Sequence, residues 1–330
     1  MRILMIGGTR FVGKHIVEAA LAAGHAVTIF HRGQSGAALF SDVEHRLGDR
    51  DGDLAALADG QWDVTIDTCG YVPRQVHALA EVLGERRGQY VFISSVSVYA
   101  APSAGYGEDA AVIELDDPTV EDVTGETYGG LKVLCERAAL ARFGASTLIV
   151  RPTYVVGPDD YSWRFPWWVA RIASGGEVLA PGPADDPAQV IDGRDMAAWI
   201  VSMAERGASG IFHTVGPAEP ITWAGLLDTI AAEVAPPGTT LTWIDADRLR
   251  SEGLDGVTLP LWSGGDPDRW VSAADPRAAL GAGLTLRPLA ATIADTLTWT
   301  RTQVRPATAG LDPALEAALL DRCKRTALGG

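Results

Sequence analysis

The sequence predicts an α/β fold, a doubly wound parallel sheet with a smaller C-terminal lobe. Three observations lead there. An apolar run, Arg2–Ile6, leads into Gly7-Gly8-Thr9 and then a helical pattern from Arg10 to about Ala23. Short β-type runs then alternate with helical segments, which implies parallel pairing with right-handed crossovers. After Gly157 the texture changes: Pro, Gly and Trp become frequent, and nine of the ten tryptophans lie beyond residue 160.

The elements follow in order. Residues 26–30 form a second strand, ended by His31, Arg32 and Gly33. Glu44–Leu47 is a third, followed by Gly48-Asp49-Arg50-Asp51. Residues 63–67 are a fourth, then a helix over 73–85, a fifth strand over 89–94, a helix centred on 132–141 and a sixth strand over 146–150. A helix over 195–205 and a strand over 210–215 return to the same layer. The first domain is therefore 1–157 with 189–215. The lobe is 158–188 and 216–330, placed over the carboxyl ends of the strands, where open α/β sheets bind ligands.

The opening stretch reads as a dinucleotide site. Gly7 allows a tight turn, Gly13 lets the helix lie close on the sheet, and the helix N-terminus offers its backbone N–H groups and positive dipole end to a pyrophosphate. Composition agrees with a large-cored enzyme of 330 residues. A formal charge of −15 disfavours nucleic acid as a partner. Cys69, Cys135 and Cys323 are odd in number and far apart, so reduced thiols and a cytoplasmic setting are expected. No apolar run reaches membrane-spanning length, and a strand beginning at residue 2 leaves no room for a signal peptide. The six histidines show no metal-ligand spacing, so no metal is expected, and the paired carboxylates Asp159-Asp160 and Asp185-Asp186 read as turn and solvent-facing groups. There is no asparagine, and only three lysines occur: Lys14, Lys132 and Lys324.

A second constellation carries chemistry. Tyr128-Gly129-Gly130-Leu131-Lys132 puts a phenol and an ammonium one helical turn apart, on one face. A nearby cation lowers a phenol pKa and makes it a better proton donor and acceptor near neutrality. Upstream, the strand that ends at Ser94-Ser95-Val96-Ser97-Val98-Tyr99 offers hydroxyls that either reach a substrate oxygen or close the strand end.

Together with Arg151-Pro152-Thr153-Tyr154-Val155-Val156-Gly157-Pro158, these motifs occur in an order that resembles the extended short-chain dehydrogenase/reductases, the NAD-dependent epimerase/dehydratase group. The resemblance covers most of residues 1–215. It implies a Rossmann-type fold with a substrate lobe, and a catalytic set of Ser95, Tyr128 and Lys132. Tyr128 would exchange a proton with the substrate oxygen, while Lys132 would hold the nicotinamide ribose and depress the phenol pKa. Cofactor contacts would come from Gly7, Thr9, Arg10, Phe11, Val12, Gly13, His31, Arg32, Asp49, Arg50, Thr68, Cys69, Gly70, Ser94, Tyr128, Lys132, Pro152, Tyr154 and Val155.

Departures from the family pattern shape the rest. Arg10 replaces its middle glycine. His31, followed by Arg32, replaces the acidic residue at the end of strand two that takes the ribose hydroxyls. A carboxylate there would repel a 2′-phosphate and an arginine would grip it, so NADP(H) is favoured over NAD(H). Tyr154 replaces an asparagine, and Ala188 an arginine, that help hold a nucleotide diphosphate. Gln75 is a weak stand-in for a relay asparagine. The lobe instead offers Trp163, Phe165, Trp167, Trp168 and Trp262, which either line a pocket with Ser95, Ser97 and Tyr154 or form the lobe's own core.

The expectation is an NADP-dependent reductase or dehydrogenase acting on a small hydroxyl or carbonyl compound. Two alternatives stay open: a sugar or sugar-nucleotide epimerase that retains NAD, and a non-catalytic NADP-sensing protein. Plastid relatives with a similar opening motif bind RNA, and the acidic charge argues against that here. The family also suggests a homodimer through the helices over 73–85 and 128–142, with Ala78 and Ala139 permitting close approach.

Overall fold

The computed structural model describes residues 1–265 and 267–328. In chain order the elements are β1 (Arg2–Ile6), α1 (Phe11–Ala22), β2 (Ala26–His31), β3 (Glu44–Leu47), β4 (Val64–Asp67), α2 (Pro73–Leu83), β5 (Gln89–Ile93), α3 (Tyr128–Phe143), β6 (Leu148–Pro152), β7 (Tyr154–Val156), α4 (Arg164–Ala173), β8 (Glu177–Pro181), β9 (Pro187–Ala188), β10 (Val190–Asp192), α5 (Gly193–Glu205), β11 (Gly210–Thr214), β12 (Ile221–Thr222), α6 (Trp223–Val234), β13 (Thr240–Ile244), α7 (Ala246–Ser251), α8 (Arg277–Gly281), α9 (Leu289–Thr300) and α10 (Pro313–Leu328). The chain divides into two compact units. The first is Met1–Thr153, Gly193–Ala218 and Ala274–Thr285; the second is Tyr154–Asp192, Glu219–Ala273 and Leu286–Gly330.

The first unit is a seven-stranded parallel sheet in the order β11-β6-β5-β4-β1-β2-β3. Strands buried on both faces need nearly continuous apolar runs, and β1 (RILMI) and β5 (QYVFI) have them. The strand order reverses between β1 and β4, the switch point at which such sheets bind ligands. On one face α2 and α3 cover a core built from Leu4, Ile6, Val76, Leu79, Tyr90, Phe92, Cys135 and Ala139. Tyr90 stacks on Phe143 at 3.8 Å between ring centroids. Helix α2 starts with Pro73 at its first position, and the Gln75 side chain accepts from Val72 N at 3.3 Å and Tyr71 N at 2.8 Å. Gln75 thus caps the helix. Ala139, expected at a helix–helix interface between copies, is buried in this unit's own core.

The second unit has three two-stranded pairings, β10 with β7, β12 with β9, and β13 with β8, around an aromatic core. The domain boundaries given above need correction. Tyr154–Val156 pairs with Val190–Asp192 in parallel, so strand hydrogen bonding takes both segments out of the first unit. The first unit instead regains Ala274–Thr285. Asp275 N donates to Tyr106 O at 2.9 Å, and Trp199 Nε1 donates to Ala282 O at 3.3 Å. Among the described residues no helix is long and apolar enough to cross a membrane.

The β1–α1 turn is tightly packed. Gly7 sits at φ 101, in left-handed territory that favours glycine. A β-carbon on Gly13 would lie 2.6 Å from Gly8 N and 2.8 Å from Gly8 Cα, against backbone that cannot yield. Gly13→Ala is therefore expected to cost about 1–3 kcal/mol, the scale of an overpacked core. Gly52→Ala, where nothing lies within 4 Å, is the matched control and should be near neutral in the same urea titration.

Candidate active site

At the carboxyl ends of β1, β2, β3 and β4 the first unit gathers most of the residues expected to hold a dinucleotide. Thr9 is buried, Arg10 is exposed in the N-cap position of α1, and Phe11 opens the helix at φ 33. Val12 is half-buried beside them. Thr68 Oγ1 donates to Ile6 O at 3.0 Å and locks the end of β4 to the end of β1. Burial raises the Cys69 thiol pKa, which fits a packing residue and not a nucleophile. Asp49 accepts from Asp51 N at 3.0 Å and stays half-buried.

Two of the expected contacts are engaged within the protein. Arg50 is paired with a buried carboxylate. Its Nη1 donates to Asp67 Oδ1 at 2.6 Å, and its Nε and Nη2 are buried without hydrogen-bond partners among the described residues. Asp67 is wholly buried, and it also accepts from Tyr90 OH at 2.8 Å and Cys69 N at 3.0 Å. Despite the opposing effect of burial, these partners hold its carboxyl below the ordinary range. His31 is likewise committed inside the protein. One ring nitrogen accepts from Gly33 N at 3.1 Å and the other lies 2.8 Å from His45 Nδ1. Arg32 is exposed and makes no hydrogen bond or ion pair among the described residues.

The second group forms at the ends of β5 and β6. Tyr128 begins α3 and is half-buried; Lys132 follows one turn later and is buried at 2% exposure. Lys132 Nζ donates to Gly70 O at 2.9 Å and to Ile93 O at 2.6 Å, bridging the ends of β4 and β5. Its ammonium also lies 4.3 Å from the centre of the Phe92 ring. Burial penalises the charge and pulls its pKa down to about 8. Ser95 Oγ accepts from Ser97 N at 3.1 Å and donates to Ser97 Oγ at 3.0 Å, closing a 3₁₀ turn over Val96–Val98. A β-carbon on Gly129 would collide with the Ser97 carbonyl oxygen, so glycine there lets this serine turn rest on the first turn of α3. Ser94 Oγ is buried and without a partner among the described residues.

A buried polar network braces the same region. Glu136, four residues after Lys132, receives Arg151 Nε at 2.9 Å and Nη2 at 2.6 Å. Arg151 Nη1 donates to Tyr99 OH at 2.6 Å, and that hydroxyl lies 2.5 Å from His213 Nε2. Burial pushes the Tyr99 phenol up to about 12, so it stays neutral. Pro152, expected near the cofactor, is buried at the end of β6. Asp67, His45 and Glu136 are supporting residues that sequence reasoning missed, and Arg151 entered it only as part of a motif. A carboxylate ending an apolar strand (Asp67) and one a turn beyond the lysine (Glu136) were the available signals.

In the second unit Tyr154 and Val155 are half-buried, with the Arg164 guanidinium 5.3 Å from the Tyr154 ring centre. The expected aromatic pocket is corrected. Phe165, Trp167, Trp168 and Trp262 belong to the unit's hydrophobic core. Trp168 Nε1 donates to Pro260 O at 2.5 Å and Trp262 Nε1 to Gly182 O at 2.7 Å, while the buried indole N–H groups of Trp167 and Trp223 find no partner among the described residues. Trp163, also buried, turns left-handed at φ 57 at the start of α4 and packs by Trp299. Asp160 and Asp186, expected to face solvent, are buried: Asp160 accepts from Ser162 N at 3.0 Å, and Asp186 accepts from Ser263 Oγ at 2.7 Å.

A glycine turn at a sheet switch point, with a tyrosine–lysine pair beyond it, defines a dinucleotide-dependent α/β enzyme. A family model described as NAD dependent epimerase/dehydratase matches residues 3–215, and the chain belongs to that family, one of NAD-dependent enzymes. Solved structures of the same fold include UDP-glucuronic acid 4-epimerase from Bacillus cereus in complex with NAD, at 16% identity and TM-score 0.66, covering 92% of this chain and 99% of that one. The Bordetella bronchiseptica enzyme WbmH in complex with NAD+ has 15% identity and TM-score 0.68, covering 91% and 98%. Among curated proteins, the chloroplast stem-loop binding protein of 41 kDa b of Arabidopsis thaliana is 27% identical over 249 residues, 70% of this chain. That match spans 62% of the relative, less than two thirds of its length.

Lys132 gives a pH test with a fixed sign. Its folded pKa, about 8, lies below the ordinary 10.5, so the unfolded chain binds more protons between those values. Its charge penalty is present below about pH 8 and fades as pH rises towards 10.5. The stability of wild type relative to Lys132→Met should therefore climb over that window, by up to about 1.4 kcal/mol per pH unit. Denaturant titrations at pH 7, 8, 9 and 10 read it; a flat difference would remove Lys132 as a strained buried cation.

Proposed function

We propose that the protein is an NADP-preferring oxidoreductase that acts on a small carbonyl or hydroxyl compound. The observation that carries this reading is the Tyr128–Lys132 turn of α3, with Lys132 anchored to the carbonyls that end β4 and β5. The residues fit a bound dinucleotide. The Gly7–Gly13 turn admits no β-carbon at Gly13, which lets the glycine turn lie against the first turns of α1, where a helix N-terminus suits a pyrophosphate. Two of the three Lys132 donors are taken by backbone, which leaves one for a ribose hydroxyl.

The nicotinamide, when bound, supplies the hydride chemistry. The chain's own residues handle the proton. Tyr128 passes it to or from the substrate oxygen, Lys132 lowers the phenol pKa through its positive charge, and Ser95 orients the same oxygen. Arg10 and Arg32 carry the cofactor preference, since an arginine fork suits a 2′-phosphate. His31 contributes no direct contact to this reading.

A second reading, a sugar-nucleotide epimerase with retained NAD, draws support from the family and from the same fold being found in UDP-sugar epimerases. Tyr154 and Ala188 stand against it, because neither offers the amide or guanidinium that grips a diphosphate. The stem-loop binding in the Arabidopsis relative's name is not carried over, since a charge of −15 repels a phosphate backbone.

Three outcomes are expected. Purified protein, denatured and read by absorbance, should release no stoichiometric nicotinamide; tight NAD would favour the epimerase. In calorimetric titration NADPH should bind more tightly than NADH, and Arg32→Asp should weaken NADPH selectively; equal native affinities would refute the preference. Tyr128→Phe should lower carbonyl-dependent NADPH oxidation by about 100- to 10,000-fold while NADPH affinity stays near wild type. Turnover within a few-fold of wild type would remove Tyr128 from the mechanism.

A further inference from the structure

The segment between β2 and β3, residues 32–43, carries Arg32 and is held at both ends by two imidazoles. At its far end His45 Nε2 lies 3.1 Å from the Phe40 carbonyl oxygen. A carbonyl only accepts, so that nitrogen carries the proton and His45 Nδ1 keeps its lone pair. His31 Nε2, 2.8 Å away, must then donate to it. That leaves the His31 Nδ1 lone pair to accept from Gly33 N at 3.1 Å, at the near end of the segment. A single arrangement of hydrogens satisfies all three bonds, and it requires both rings to be neutral. Burial, and then the neighbouring His45, lowers the His31 pKa, in keeping with that state.

The segment is under constraint where the imidazoles hold it. Phe40 has φ 58, a left-handed conformation that costs a bulky residue energy unless its surroundings enforce it. Its carbonyl receives Val43 N at 2.9 Å as well as His45. In its middle the segment rests on the dinucleotide turn: a β-carbon on Gly36 would lie 2.5 Å from Thr9 O. Arg32 is therefore the first residue of a loop pinned at Gly33, at Gly36 and at Phe40. Its own guanidinium stays exposed, with no protein partner among the described residues.

We propose that His31 and His45 form a neutral-imidazole clasp that sets cofactor selectivity, His45 acting as a positioning residue that presents Arg32 to the adenosine 2′-phosphate. This rests on the NADP preference proposed above. In place of a side chain that touches the ribose, the end of β2 carries one that orders the loop bearing the charge. An ordered guanidinium loses less freedom on gripping a phosphate than one on a loose loop.

The test is a double-mutant cycle read by binding alone. NADPH and NADH are titrated by fluorescence into wild type, His45→Phe, Arg32→Ala and the double variant, with thermal melts alongside. His45→Phe should cut the NADPH-over-NADH preference by roughly tenfold, the scale of losing one or two ordering hydrogen bonds, and leave NADH affinity unchanged. In the Arg32→Ala background the same change should do nothing further, because a positioning residue acts only through the group it positions. Should His45→Phe fail to fold, His45→Asn keeps an acceptor for His31 Nε2 and drops the donor to Phe40, and carries the same readout. Preference retained in the His45 variants, or additive losses, overturns the clasp. A wild type with equal affinities for both cofactors overturns the NADP preference itself, a separate outcome.

Discussion

One buried ammonium ties the first unit's chemistry together. Lys132 reaches from α3 to the carbonyls of Gly70 and Ile93, which belong to the ends of neighbouring strands. A charge held in so little water is costly, and burial accordingly depresses its pKa. The fold keeps it because several other contacts already fix the helix that carries it. Gly129 admits the serine turn, and Glu136 grips Arg151 from the next turn along. The tyrosine one turn before the lysine is thereby held on a helix whose position is set from both sides.

Much of this fold was legible because its signals are local. An apolar run closed by glycine marks β1, and the spacing of Tyr128 and Lys132 marks one helix face; neither depends on distant chain. Element ends drifted by a residue or two where strands continue past the apolar run, as at His31 and Pro152. The motifs on which the candidate site is proposed are legible for the same reason. Their supports are not. Nothing in the sequence pairs Arg50 with Asp67, seventeen positions on. His31 looks like a ribose contact until His45, fourteen positions on, occupies its second nitrogen. Such partnerships across the sheet leave no periodicity in the sequence.

The aromatic residues show the same limit from the other side. Trp167 and Trp168 meet edge to face at 4.5 Å and Trp168 meets Trp223 at 5.3 Å, so Trp168 packs against two other indoles within the core. Composition alone cannot separate that from a ligand pocket, since both need large apolar rings with a few satisfied N–H groups. Burial decides it for the core.

The first unit is assembled from three stretches of chain, the last ending at Thr285. Its edge strand β11, and the segment that bridges to Tyr106, are synthesised after long intervals devoted to the other unit. During translation the six strands made first must wait with one flank of β6 unpaired, an open edge able to recruit foreign strands. The network that joins Tyr99 to His213 closes only once that late strand arrives. Completion of the sheet and completion of the polar brace behind the Tyr128 helix are thus one event, so that a nascent chain carries the motifs of the site well before it can hold them in place.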